Sequence, residues 1–145
     1  MRIAFSVFMA MVCFSVNVWA EPAIKLTPEK LAALQLPDVK LTSVKHVPKS
    51  SRNGTQAKPH VQVEGIIGKA IRFEVLLPDE WNGRFAMGGG GGLVGSVQNG
   101  IWKSLNKGYA TAGTDTGHQA GGTDGSWAQD DMEAFVNFGH VAVHR

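Results

Sequence analysis

Five consecutive glycines, Gly88 to Gly92, follow a short apolar segment, Arg84 to Met87, and precede the apolar positions Val97, Ile101 and Leu105. Glycine loses more backbone freedom on folding than any other residue, so a run of five is an unfavourable way to make a simple connection. Flexible linkers rich in glycine are usually laced with serine and flanked by polar sequence. Here strand-like and helix-like apolar positions press on both sides. The run therefore reads as a place where something must approach the main chain closely, with no room for a Cβ.

The flanks set the fold class. Val61, Val63 and Gly65 alternate with Gln62 and Glu64, the pattern of an edge-like strand, and Ile71, Phe73, Val75 and Leu77 alternate with Arg72, Glu74 and Leu76 in a second. Pro78 ends that strand, and Arg84 to Met87 forms a third. The four-residue spacing of Val97, Ile101 and Leu105 predicts a helix to about Lys107, stopped by Gly108. Tyr109 to Thr114 is a fourth strand ending at Asp115. Thr116 to Ala128 is a glycine-rich loop, and Asp130 to Glu133 has capping-box spacing at the head of a helix from Met132 to His144. Upstream, Thr27-Pro28 starts a short helix within a segment, Glu21 to Ser43, that otherwise reads as a connector. Lys45 to Lys58 is polar and reads as a surface loop or linker. The order β-β-β-Gly loop-α-β-loop-α predicts an α/β fold with a mixed sheet.

Residues 1–20 stand apart. Met1-Arg2, an apolar run from Ile3 to Val18 and a small-residue close at Ala20 describe a secretory signal. The run is shorter than a membrane span needs and is broken by Ser6, Ser15 and Asn17. Cleavage removes Cys13, the one cysteine, so no disulfide, thiolate nucleophile or cysteine metal site is expected in the mature chain. The formal charge of +2 falls to +1 as Arg2 leaves, which offers no nucleic-acid footprint. The expectation is a periplasmic or secreted protein with no membrane partner after cleavage.

Three chemistries fit parts of the glycine region. Gly90, Gly92 and Gly95 satisfy G-x-G-x-x-G between a strand and a helix, with Asp115 at the end of the next strand where a ribose-binding acid belongs, so a dinucleotide module is one reading. An oxyanion loop is another: in α/β-hydrolases a glycine-rich loop after the third strand donates a backbone N–H to the developing oxyanion. The tripeptide Asp115-Thr116-Gly117 is that of aspartic proteases, although Gly113-Thr114 replaces the usual apolar lead-in.

Several ordered blocks together favour the oxyanion loop, with a dinucleotide-binding module over Gly90–Gly95 or a non-catalytic secreted binder of aromatic acids as the alternatives. Ile71-Arg72-Phe73-Glu74-Val75-Leu76-Leu77-Pro78, Trp81-Asn82-Gly83-Arg84-Phe85, the glycine run with Gly95 and Gln98-Asn99, Gly108-Tyr109-Ala110-Thr111-Ala112 with Thr114-Asp115-Thr116-Gly117-His118, and Asn137-Phe138-Gly139-His140 with Ala142-Val143-His144 resemble the opening of the tannase and feruloyl esterase family. The resemblance runs from about Leu31 to Arg145. It implies an exported carboxylic ester hydrolase with an α/β-hydrolase core and a late lid, cleaving small aromatic-acid esters with a Ser-Asp-His triad; no cofactor is expected. It places Gly89, Gly90 and Gly91 in the oxyanion and substrate wall. Members carry the nucleophile in a Gly-Cys-Ser motif after the helix that ends this chain, so the catalytic serine, acid and base are expected beyond Arg145. The resulting division is a signal over 1–20, an N-terminal segment and linker over 21–58, and over 59–145 a partial α/β-hydrolase domain truncated before the nucleophile elbow. An early cysteine pair of many members, which would fall near Lys30 and Val61, is absent.

Within the chain no G-x-S-x-G occurs. Ser96 reads as a helix cap, Ser104 as mid-helix and Ser126 as a loop residue. Asp115 and His118 read as ordering the loop rather than as catalytic groups. His140 and His144, four apart, lack a third ligand or an intervening glutamate of the H-E-x-x-H kind. Trp81, Trp102 and Trp127 read as structural, with Trp127 within reach of a cleft. A chain with half a parallel-type sheet is also expected to expose an open edge and to be poorly soluble alone.

Overall fold

The structure is a computed structural model and describes residues 27–144. The signal reading over 1–20 lies outside the described residues. Thr27 caps the short helix α1 (Pro28–Ala32), its hydroxyl accepting from the Lys30 amide at 3.4 Å, with Pro28 in the first turn.

Seven strands follow: β1 (Val39–Val47), β2 (Ser50–Arg52), β3 (Thr55–Ala57), β4 (His60–Ile67), β5 (Ile71–Pro78), β6 (Phe85–Met87) and β7 (Ala110–Thr114). Five of them form one sheet in the order β1-β4-β5-β7-β6. Neighbours β1/β4, β4/β5 and β5/β7 are antiparallel, and β6/β7 is parallel. This is the mixed sheet of an α/β fold, with the antiparallel strands first.

Two sequence expectations are corrected here. Val39–Val47 is a nine-residue strand rather than a connector running into a loop. Its pairing slips between Leu41 and Ser43, so Val39 and Leu41 fall on one alternation phase and Val44 on the other. A bulge of this kind hides the period-two signal of a strand. The presence of β1 also moves β4 inward: the strand read as edge-like pairs with β1 on one side and β5 on the other. The second correction is the supposed linker, whose remainder is the β2–β3 hairpin. Asn53 (φ 49°) and Gly54 (φ 72°) form its two-residue turn, both left-handed, which is why Asn-Gly favours such hairpins.

Alternation along β5 separates two apolar clusters. On one face Val61, Val63 and Leu31 of α1 are buried, with Leu41, Val44, Phe73, Val75 and Leu77 packed against them. On the other, Leu76 joins Ala57, Trp102 and Leu105. This second face also buries Glu74, which accepts from Arg52 Nη1 at 3.0 and 3.1 Å and from Gln62 Nε2 at 3.1 Å. Arg52 lies 5.5 Å over the Trp102 ring, so the hairpin is fastened to the sheet by a hydrogen-bonded ion pair and a cation–π contact.

The helix predicted from Val97 is shorter and tighter: a 3₁₀ helix covers Trp102–Lys107, closed by Gly108 at φ 82°. Val97 is 38 % exposed, so its four-residue spacing with Ile101 and Leu105 does not mark one buried face. Gln98 instead bridges to Thr114 as extended chain. A Cβ on Gly113 would stand 2.2 Å from the Gln98 carbonyl oxygen, so the segment lies flat on β7 only because residue 113 is glycine. The last helical stretch comprises α2 (Met132–Val136), a π turn over Asn137–Val141 and α3 (Ala142–His144). Its cap is Asp131, accepting from the Ala134 amide at 2.9 Å, one residue later than the capping-box spacing suggested. Among the described residues no helix is long and apolar enough to cross a membrane.

Candidate active-site loop

Because β6 and β7 are parallel and paired Phe85 to Ala110, Ala86 to Thr111 and Met87 to Ala112, their carboxyl ends lie side by side. Gly88 continues one strand and Asp115 the other. The antiparallel start of β5 reaches the same end, since Phe73 pairs with Thr114. In open α/β sheets ligands bind outside the carboxyl ends of the strands. The glycine run therefore occupies the end of the sheet where chemistry is normally done.

The run is anchored at its two ends. The Gly88 amide donates to the Ala112 carbonyl at 3.0 Å, extending the parallel ladder by one residue. Backbone pairing resumes at Leu93, whose amide donates to Gly122 O at 2.8 Å. The glycines between divide by what surrounds them. A Cβ at Gly88 would meet Ile101 at 2.8 Å, one at Gly90 the Gln98 side chain at 2.5 Å, and one at Gly92 the Gly122 carbonyl at 2.7 Å. Internal packing accounts for those three. A Cβ on Gly89 or Gly91 would meet nothing within 4 Å. Their freedom from side chains serves no contact among the described residues.

A second loop, leaving β7, holds the first in place. Asp115 is fully buried. Its Oδ1 accepts from the Arg72 and Gly117 amides, both at 2.9 Å, and Oδ2 accepts from Gln119 Nε2 at 2.6 Å. Those bonds turn the chain through Thr116 (φ 62°) and Gly117 (φ 90°), left-handed conformations that a β-branched residue rarely adopts without support. The Thr114 hydroxyl donates to Arg72 O at 2.9 Å and accepts from the Thr116 amide at 3.1 Å, and Thr116 Oγ1 lies 2.5 Å from Asp115 O and 3.2 Å from Val94 O. His118 is 5 % exposed, with Nε2 3.1 Å from Leu93 O and Nδ1 3.3 Å from Thr116 Oγ1. Its ring stacks on Trp127 at 3.7 Å, and both meet Phe138. Further along, the exposed Asp124 carboxyl is held below its ordinary range by hydrogen bonds from Ser126, the backbone amide first.

Asp115 and His118 are thus brought into one loop, held by different partners. Gly90, Gly92, Gly95 and Asp115 do not form a dinucleotide site: the next helix starts only at Trp102, so no helix N-terminus backs the loop, and both Asp115 oxygens are engaged internally. Ser96 does not cap a helix; its hydroxyl accepts from Gln98 Nε2 at 3.4 Å. Among the described residues no serine hydroxyl is hydrogen-bonded to a histidine, and no group of three potential metal ligands occurs. His140 and His144 stack on each other at 3.9 Å, with His144 Nδ1 donating to His140 O at 2.8 Å. Trp81 is 63 % exposed and donates to Arg84 O, while Trp102 lies in the core.

Comparison with known proteins accords with this geometry. Residues 56–145 match the family model "Tannase and feruloyl esterase". The chain is 35% identical over 109 residues to an uncharacterized esterase of Agrobacterium fabrum, an alignment covering 66% of this chain and 20% of that protein. It is 38% identical over 76 residues to the mono(2-hydroxyethyl) terephthalate hydrolase of Piscinibacter sakaiensis, covering 41% and 13%. The crystal structure of feruloyl esterase B from Aspergillus oryzae superimposes with a TM-score of 0.66 at 25% identity, covering 79% of this chain and 26% of that one. The chain spans about a quarter or less of the length of these relatives. A strand-end glycine loop on a mixed sheet of this order, matched over most of the chain, places the protein in the tannase and feruloyl esterase family.

Proposed function

We propose that this chain forms the N-terminal part of an exported carboxylic ester hydrolase that acts by serine acyl transfer on small aromatic-acid esters, with Gly89, Gly90 and Gly91 as its oxyanion and substrate wall. The observation that carries this reading is the open space beside Gly89 and Gly91 at the carboxyl end of β6, next to amides unclaimed by the ladder that stops at Gly88 and resumes at Leu93. The names of the terephthalate and ferulate relatives support an aromatic acyl group. Residues 1–20 direct export, and the serine, acid and base stand outside the described residues.

In such a reaction the serine oxygen attacks the ester carbonyl while a base takes its proton, and the carbonyl oxygen gains a full negative charge. Collapse expels the alcohol, which receives that proton, and water then releases the acid from the acyl-serine by the same route. A loop amide that reaches the oxyanion and not the ground-state carbonyl contributes about 3–4 kcal/mol to the transition state alone. Glycine allows that approach, since neither Gly89 nor Gly91 puts a Cβ in the path.

Turnover of methyl ferulate or methyl gallate by the full-length protein tests the reading. Gly91→Leu is expected to lower kcat/KM by about 100-fold, comparable to loss of an oxyanion donor, while changing the thermal midpoint little because its Cβ meets nothing within 4 Å. Residues 21–145 alone are expected to show no turnover above buffer. Undiminished activity of Gly91→Leu, or hydrolysis by the isolated segment, would refute the assignment.

A further inference from the structure

A run of five glycines is suited to close approach and poorly suited to holding still. Oxyanion donors act only if they are fixed before the charge develops, and the Gly88–Gly92 backbone supplies no rigidity of its own. Its upstream anchor is part of the sheet. The downstream anchor joins the Leu93 amide bond to Gly122 O with a second tie, from the Leu93 carbonyl to the His118 ring.

We propose that His118 is a positioning residue that sets the glycine loop for catalysis, an inference that rests on the oxyanion reading above. A carbonyl oxygen can only accept, so Nε2 at 3.1 Å from Leu93 O carries the proton and donates it. Nδ1 faces the Thr116 hydroxyl at 3.3 Å. The imidazole thus ties the residue immediately after the glycine run to the turn that leaves β7. Thr116 Oγ1 also lies 3.2 Å from Val94 O, one residue further on, and its single proton serves either that carbonyl or Nδ1. Gly95 completes the fit, its α-carbon so close to Ala120 that a Cβ would lie 2.1 Å from the Ala120 amide nitrogen.

The ring itself is fixed by aromatic packing. Trp127 stacks on it with planes 17° apart, and Phe138 meets it edge-on at 5.7 Å and 68°. Trp127 and Phe138 touch each other at 5.3 Å. Phe138 belongs to the π turn of the last helix, so helix, indole, imidazole, Leu93 carbonyl and glycine loop form one contiguous set of contacts. Through it the C-terminal helix sets where the Gly89–Gly91 amides point, without contributing an atom to the reaction.

Two substitutions separate this role from simple stability. Gln places an amide N–H at about the reach of Nε2, whereas Leu fills the volume without a donor. In the full-length enzyme His118→Leu is expected to lower kcat on the order of tenfold or more with KM little changed, as a misplaced transition-state donor does. His118→Gln should retain most of kcat. Hydrogen exchange of the peptide spanning 88–95 gives a readout independent of activity: it should accelerate in His118→Leu and stay near wild type in His118→Gln. Equal losses of kcat in both variants, matched by equal drops in thermal midpoint, would overturn the proposal, as would unchanged exchange in His118→Leu. Faster exchange with undiminished turnover would leave the clamp standing and refute the oxyanion reading beneath it.

Discussion

Asp115→Ala is expected to destabilise the protein by about 3–5 kcal/mol, measured as the shift in urea midpoint at constant slope. The magnitude follows from what the carboxylate holds. It is fully buried, and its Oδ1 takes two backbone amides, Arg72 at the start of β5 and Gly117 in the turn after β7. Charge-assisted bonds of this kind are stronger than neutral ones, and an orphaned buried amide costs about 1–3 kcal/mol. Both amides would be orphaned together, Gln119 would lose its acceptor, and the left-handed Thr116 would lose its support. Asp115→Asn keeps one acceptor oxygen and should fall between wild type and alanine. A loss under 1 kcal/mol in the alanine variant would mean that the turn is not organised by this side chain.

Gly113→Ala should cost about 3 kcal/mol, near the upper end for overpacking a tight site. The added Cβ would stand 2.2 Å from Gln98 O, 2.5 Å from Gln98 C and 2.6 Å from Asn99 Cα, all main-chain atoms that no rotamer change can move. The extended segment would lift off β7, breaking the Gln98 bridge to Thr114 and straining the buried Asn99 Nδ2 bond to Thr111 Oγ1 at 3.0 Å. By contrast Gly89→Ala should be neutral in stability, because nothing lies within 4 Å of its added carbon. Comparing thermal midpoints of the two single-methyl additions separates glycines required by packing from those left free. Equal losses would contradict that division.

Both predictions concern features that the sequence discloses unevenly. Strand β5 is legible because Ile71, Phe73, Val75 and Leu77 alternate, β6 and β7 because they are short apolar or small-residue runs bounded by turn residues, and the glycine run announces the loop by its cost. β1 is hidden because the slip at Leu41/Ser43 breaks its alternation. The β2–β3 hairpin carries a local signal in Asn53-Gly54, yet its polar composition resembles a loop. Val97, Ile101 and Leu105 mimic a helix face, but Gly113 across the sheet lets Gln98 settle as extended chain. That interaction is 15 residues distant in sequence and invisible to a local window. The site divides the same way: the glycines are found by inspection, whereas which of them face open space depends on Gln98, Ile101 and Gly122. Asp115 and His118 are recognisable as a pair near the loop, but their separate partners, Arg72 and Leu93, come from other strands and loops.

A structure of the full-length protein with a boronate or phosphonate on the proposed nucleophilic serine is the most direct measurement, because the tetrahedral adduct marks where the oxyanion sits. The account predicts its oxygen 2.7–3.1 Å from at least one amide among Gly89, Gly90 and Gly91, a distance set by the geometry of such holes. An adduct oxygen held by other donors, with the glycine run well beyond hydrogen-bonding reach, would contradict it.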